Sequence, residues 1–153
     1  MQSVKIESRI HRRLIDTLYV EAMLLADEAR SYFDEMGRID RDLLEPMARV
    51  AFSCESLKVT TRLMHVIAWI LTQRAVDQGE LRPRDALDPA RRLGTGPVTE
   101  DIVLALLPPA AQSLVSASIE LFRRVALLDG SQAASGPARS PARSMQERLE
   151  ATF

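Results

Sequence analysis

The most regular stretch of the sequence covers residues 46–79 and reads PMARVAFSCESLKVTTRLMHVIAWILTQRAVDQG. Apolar and small residues recur along it at alternating spacings of three and four, which are the a and d positions of a heptad repeat. These residues are Met47, Val50, Cys54, Leu57, Thr61, Met64, Ala68, Leu71 and Ala75. Because proline suits a first helical turn and glycine follows a last one, we predict one helix over residues 46–79, about 50 Å long at 1.5 Å per residue.

The same helix carries a second apolar line, offset around its axis from the heptad positions: Phe52, Val59, Leu63, Val66 and Ile70. A single neighbouring helix covers only one of the two lines and leaves the other in water. We therefore expect this helix to lie centrally in a helical bundle, with the heptad line at the buried seam, and to bury its surplus apolar face in a homodimer.

Two further long helices flank it in the sequence. One is predicted over about residues 9–36 and ended by Gly37, with a stripe of Ile15, Leu18, Ala22, Leu25, Ala29, Tyr32 and Met36. The other is predicted over 109–129 and ended by Gly130, with a stripe of Ala111, Leu114, Ser118, Leu121, Val125 and Leu128. A short helix near 99–106, capped at Thr99, interrupts the connector between residue 80 and residue 107. The predicted fold is all-α, a homodimeric three-helix bundle with one long central helix and antiparallel up-down connections.

The chain of 153 residues suits one domain, which we place at residues 1–129. Residues 130–153 begin with a mixture of Ser, Ala, Gly, Pro and Arg that buries little apolar surface. We predict a flexible tail there, with a helical turn or two around residues 145–149.

The composition, 46% hydrophobic and 27% charged, is that of an average soluble globular protein. A net charge of −1 provides no global attraction for nucleic acid or anionic lipid. The lone Cys54 suits a reducing compartment, and the charged N-terminus is unlike a secretory signal. The longest uncharged stretch, 102–119, contains Pro108 and Pro109 and is a poor membrane helix. These features predict a cytoplasmic protein.

The sequence carries no catalytic motif that we recognise. His11 and His65 lie on different predicted helices, with no carboxylate three or four residues after either, so we predict no metal site. Phosphate-binding glycine motifs are absent, which predicts no nucleotide cofactor. Cys54 occupies a heptad position and is interpreted as a small buried hydrophobe. We therefore predict a protein that is not an enzyme.

A polar stripe on the long helix is the one candidate binding site: Glu55, Lys58, Arg62, His65, Trp69 and Gln73. An exposed Trp next to an Arg is typical of protein–protein interfaces, so the stripe is a candidate partner-binding surface. The alternative is that Trp69 fills the core, and the stripe alone does not decide between the two.

The segment 55–80 resembles the signature helix of the alphaproteobacterial RcdA family, the regulators of CtrA degradation. The matching features are Thr60-Thr61-Arg62-Leu63-Met64, then Trp69, and Gln73-Arg74-Ala75-Val76 before Gly79-Glu80. Glu28-Ala29-Arg30-Ser31-Tyr32-Phe33, Leu107-Pro108-Pro109 and Arg124-Val125-Ala126-Leu127-Leu128-Asp129 agree as well. Together these features cover most of residues 14–129.

The resemblance implies a three-helix-bundle homodimer that acts as a non-enzymatic adaptor in regulated proteolysis. Such proteins couple the ClpXP protease, primed by the response regulator CpdR, to cargo or to the cyclic-di-GMP effector PopA, so that CtrA is degraded. The implied partners are a second copy, ClpX or ClpXP, a CpdR-like regulator, a PopA-like effector and cargo, with recruitment to the cell pole as a further expectation. The alternative is a helical dimeric DNA-binding regulator or another regulatory scaffold, which the near-neutral charge disfavours.

Overall fold

The computed structural model describes residues 2–135 and 141–152. Three long helices, α1 (Gln2–Ser31), α3 (Pro46–Asp77) and α6 (Pro109–Ser135), form the body of the protein. A π-helix (Tyr32–Met36) and α2 (Gly37–Asp42) continue α1. The connector between α3 and α6 holds α4 (Pro83–Ala86), a 3₁₀ turn (Pro89–Arg91) and α5 (Asp101–Leu104), and α7 (Pro141–Thr152) follows α6. No strand occurs within these described ranges, and the all-helical class is confirmed.

The directions of the long helices follow from their side-chain contacts. Arg74 near the end of α3 meets Asp16 in the middle of α1 at 3.0 Å, whereas Phe33, just after α1, packs on Phe52 near the start of α3, so these helices are antiparallel. Between α3 and α6, Arg62 bonds to Ser118 and Trp69 bonds to Asp129, so both helices run the same way. The predicted antiparallel connection is therefore right for α1 to α3 and wrong for α3 to α6, because the long connector returns the chain to the starting end of α3.

The core lies where the three long helices meet. On α1 and α6 the predicted stripes do face it: Ile15, Leu18, Ala22, Ala29 and Tyr32 are buried, as are Ala111, Leu114, Ser118, Leu121 and Val125. On α3 the second apolar line is buried, with each side chain no more than 3% exposed: Phe52, Val59, Leu63, Val66 and Ile70. Trp69 and Ala48 of α3 are buried as well. The second apolar line of the sequence analysis is thus the core-facing line of α3.

The predicted heptad line of α3 lies on the opposite side of the helix. We call this side the outer face; it consists of Met47, Val50, Cys54, Leu57, Thr61, Met64, Ala68 and Leu71. Met47 is 79% exposed and Leu57 67% exposed. At about 100° per residue the outer face points roughly 170° away from the core. Its assignment to the interior was wrong, because a second heptad series, which includes polar residues, is the one that packs against α1 and α6.

The end of the first helix also differs from the prediction. Gly37 does not stop the chain's helical course, because a π-helix leads directly into α2. The wider π turn changes the helical phase, and Met36, predicted on the buried stripe, is 70% exposed. A glycine is needed at position 37, since a Cβ there would lie 2.7 Å from the carbonyl oxygen of Tyr32. The Tyr32 hydroxyl donates to Asp40 at 2.8 Å, and burial together with this bond raises the pKa of Tyr32.

The third helix continues through Gly130 to Ser135, five residues beyond its predicted end at that glycine. The extra turn is anchored because the Gln132 side chain donates to the Gln73 side-chain oxygen at 2.9 Å. The predicted turn around residues 145–149 belongs to α7, on which Met145 and Leu149 are exposed. Of the predicted flexible tail, residues 136–140 lie outside the described residues.

We expect removal of residues 136–153 to leave the melting temperature nearly unchanged, because the apolar side chains Met145 and Leu149 are exposed. Removal of residues 131–153 also deletes Gln132 and leaves the buried Gln73 amide without this partner, at a cost of roughly 1–3 kcal/mol. Thermal melts of the two truncated chains, followed by circular dichroism, check the difference. Equal loss of stability in both would show that α7 packs on the long helices.

Candidate functional site

The predicted polar stripe lies largely inside the protein. Glu55 is 1% exposed, Arg62 2%, Trp69 2% and Gln73 5%, while Lys58 is half-buried and His65 is exposed. The expectation of an exposed stripe is wrong for the four buried residues, since the connector and α6 cover them. Direct contact with a partner stays a prediction for Lys58 and His65.

Three residues of the stripe, Glu55, Lys58 and Arg62, form one hydrogen-bonded cluster with Thr99 of the connector and Ser118 of α6. We call this cluster the polar clamp. The Arg62 guanidinium donates to Ser118 Oγ at 3.2 Å and to Thr99 Oγ1 at 2.7 Å. Thr99 Oγ1 in turn donates to Glu55 Oε2 at 2.5 Å, and Lys58 Nζ donates to Glu55 Oε1 at 2.8 Å. Burial lowers the pKa of Arg62, and the nearby Glu55 charge opposes that shift.

The polar clamp also holds the backbone of the connector. Arg62 donates to the carbonyl oxygen of Pro97 at 3.1 Å, and Lys58 donates to that of Val98 at 2.8 Å. Helical spacing explains why both reach the same segment: residues 55, 58 and 62 are three and four apart and share one face of α3. The polar clamp therefore fastens residues 97–99 onto α3.

A second attachment lies about two turns beyond Arg62 along α3. Trp69 Nε1 donates to Asp129 Oδ1 at 3.1 Å, and Arg92 pairs with Asp129 Oδ2 at 3.0 Å. Leu93, the next residue, is 4% exposed and belongs to the hydrophobic core. Trp69 is thus a core residue that joins α3 to α6. Through Asp129 and Arg92 it is also linked to the connector.

Two glycines let the connector follow this path. Gly94 has a φ of +73°, a left-handed conformation that other residues rarely adopt. Gly96 lies so close to the Phe122 ring that a Cβ would come within 2.9 Å of it. The segment 92–99 therefore packs closely on α6 as well as on α3.

Arg62 and Thr99 of the polar clamp also line one wall of an open, mostly apolar recess between the connector and α6, which Ile119 and Phe122 border on the other side. In residues 2–135 and 141–152 no group of three or more His, Cys, Asp or Glu side chains is placed to hold a metal ion. Within the same ranges no helix combines the length and the apolar character that crossing a membrane requires.

The outer face of α3 is an apolar part of the protein's exposed surface. Its central residues Leu57 and Met64 are 67% and 64% exposed, and Cys54 is exposed as well. An apolar groove between α1 and α3 runs beside it, with Ala26, Ala29, Phe33, Leu63 and Ile67 among its lining residues. Met64 belongs to both the groove and the outer face, so the two form one continuous apolar surface. The heptad spacing pointed to these residues, although it was interpreted as a sign of burial within the chain.

Comparisons with known proteins agree with this fold. The family model described as "Protein of unknown function (DUF1465)" matches residues 6–153. The crystal structure of RcdA from Caulobacter crescentus CB15 is similar, with 34% sequence identity and a TM-score of 0.65 over 80% of this chain and 93% of that chain. No curated protein matches the sequence. Because the family model covers nearly the whole chain and the solved relative shares a third of its residues, the chain belongs to the RcdA family, DUF1465.

Proposed function

We propose that the protein is a non-enzymatic adaptor in regulated proteolysis that works as a homodimer of three-helix bundles. The observation that carries this proposal is the exposed apolar outer face of α3, on a chain in which the buried Arg62 and Glu55 are joined through Thr99. Such a surface suits binding to proteins. Membership of the RcdA family supports the same function.

The exposed area supports the homodimer. The chain exposes 10,830 Å². A compact monomer of 17.1 kDa is expected to expose about 7,800 Å², so the excess is roughly 3,000 Å². A standard stable interface removes about 800 Å² from each partner. Even after a share is allotted to α7, the excess is ample for an interface between two copies.

The proposed partners follow from the family. They are the ClpX unfoldase of the ClpXP protease, a CpdR-like response regulator, a PopA-like effector and cargo such as the cell-cycle regulator CtrA. The adaptor would act in the cytoplasm, with recruitment to the cell pole. Its role is to bring cargo and protease together, because binding both raises the effective concentration of cargo at the unfoldase.

Degradation of CtrA by purified ClpXP with the CpdR-like regulator and the effector tests the proposal. We expect addition of the full chain to shorten the half-life of CtrA, and we expect the tagged chain to capture ClpX from the native cytoplasm. An unchanged half-life together with no recovery of ClpX would contradict the adaptor function. Salt-dependent binding of duplex DNA at micromolar protein would instead favour the alternative of a DNA-binding regulator.

A further inference from the structure

The outer face of α3 differs from an ordinary apolar stripe in how residue size is distributed along it. One row of the heptad holds small residues over its central part, Cys54, Thr61 and Ala68. The other row holds only large ones, Val50, Leu57, Met64 and Leu71. The two rows run side by side for about 36 Å, from residue 47 to residue 71, at 1.5 Å per residue.

This distribution decides how a second copy fits. In a parallel pair each residue meets its own equivalent, so Cys54, Thr61 and Ala68 would leave three layers of small side chains with voids between them. In an antiparallel pair the heptad spacings of the two copies are read in opposite directions. The three- and four-residue steps of one copy then match those of the other only when the small row of one faces the large row of the other. Every central layer then combines a small and a large side chain, which packs evenly.

One antiparallel register uses the whole outer face. Residues pair when their numbers add up to 118, which places Leu57 against the partner's Thr61 and Cys54 against the partner's Met64. The same register places Val50 against the partner's Ala68 and Met47 against the partner's Leu71. A shift by one heptad would instead leave Met47, which is 79% exposed, opposite a polar residue, Gln78.

We propose that two copies of the chain pair through the outer faces of α3 in antiparallel orientation, with the two-fold axis passing between Leu57 and Thr61. The pairing covers the large exposed side chains of that face, and the groove beside α1 contributes Met64 and Ile67 to its edge. Charged residues are absent from the outer face itself, as is usual at the centre of an interface. This inference rests on the homodimer of the proposed function and specifies its geometry.

Oxidative cross-linking of the full chain tests the register, because the native Cys54 serves as one half of each possible disulfide. We expect Met64→Cys to convert most of the protein into a covalent dimer, since residue 64 then faces the partner's Cys54 across one layer. The wild type is expected to stay non-covalent. The double variant Cys54→Ser/Met64→Cys has the same packing loss and is expected to give no cross-link.

Each other outcome has a distinct meaning. A covalent dimer of the wild type would show parallel pairing, and a covalent dimer of Leu71→Cys would show a register shifted by one heptad; either overturns the inference. A dimer mass by light scattering with no cross-link in any variant would place the interface elsewhere and also overturn it, while the homodimer itself would stand. A monomer mass for the wild type at micromolar concentration would overturn both the homodimer and its geometry.

Discussion

Replacing Arg62 by Met is expected to destabilise the fold by about 3–5 kcal/mol, a large part of the 5–15 kcal/mol that holds an ordinary domain together. The methionine fills a similar volume but removes the charge that faces Glu55, which is 1% exposed. It also removes the donor on which Ser118 Oγ, Thr99 Oγ1 and the Pro97 carbonyl depend. Chemical denaturation followed by circular dichroism measures the change in the free energy of unfolding.

Two control variants separate the buried Arg62–Thr99–Glu55 bridge from ordinary surface electrostatics. Lys58→Met removes the other cation that bonds to Glu55, but the Lys58 side chain is 33% exposed, so we expect a loss of no more than about 1 kcal/mol. Glu55→Met/Arg62→Met removes both charges and is expected to recover part of the stability that Arg62→Met alone loses. If the free energy of unfolding of Arg62→Met lies within about 1 kcal/mol of the wild-type value, the polar clamp is not what holds the connector.

The polar clamp also explains why part of the fold was predictable and part was not. The stripes of α1 and α6 were predicted correctly because their buried positions are almost all apolar, and periodicity alone identifies them. The core-facing heptad of α3 instead mixes apolar residues with the polar residues Glu55, Arg62 and Gln73. A polar residue in a core is tolerated only when it has partners, and the Ser118 partner of Arg62 lies 56 residues away in the sequence. Spacing along one helix contains no sign of such a partner.

The same limit applies to the direction of α6 and to the candidate site. The connector, residues 78–108, contains glycine and proline but no long apolar period. The sequence therefore does not show that it returns along α3 and is fastened there by Arg62 and Lys58. The interpretation of Trp69 as a core residue, one of the two alternatives, is the correct one. The heptad spacing identifies the residues of the outer face but predicts that they face the core, because an apolar heptad normally indicates burial within the chain.

The same substitution two residues apart should separate the core from the outer face. Val59 is 1% exposed, so Val59→Asp buries an unpaired charge between the helices and is expected to unfold the protein. Leu57 is 67% exposed in the single chain, so Leu57→Asp is expected to change the stability of the protomer by no more than about 0.5 kcal/mol. Circular dichroism on both variants measures the contrast.

Leu57→Asp is expected to weaken the dimer strongly although it leaves the protomer folded. Leu57→Asp places a carboxylate from each copy next to the proposed two-fold axis, where both charges lose water and repel each other. We expect the dissociation constant to rise at least about 100-fold, which corresponds to roughly 2.7 kcal/mol, so light scattering at micromolar concentration should return a monomer that is still helical. A variant that stays dimeric would remove the outer face as the interface. A variant that unfolds like Val59→Asp would show instead that Leu57 packs inside the protomer.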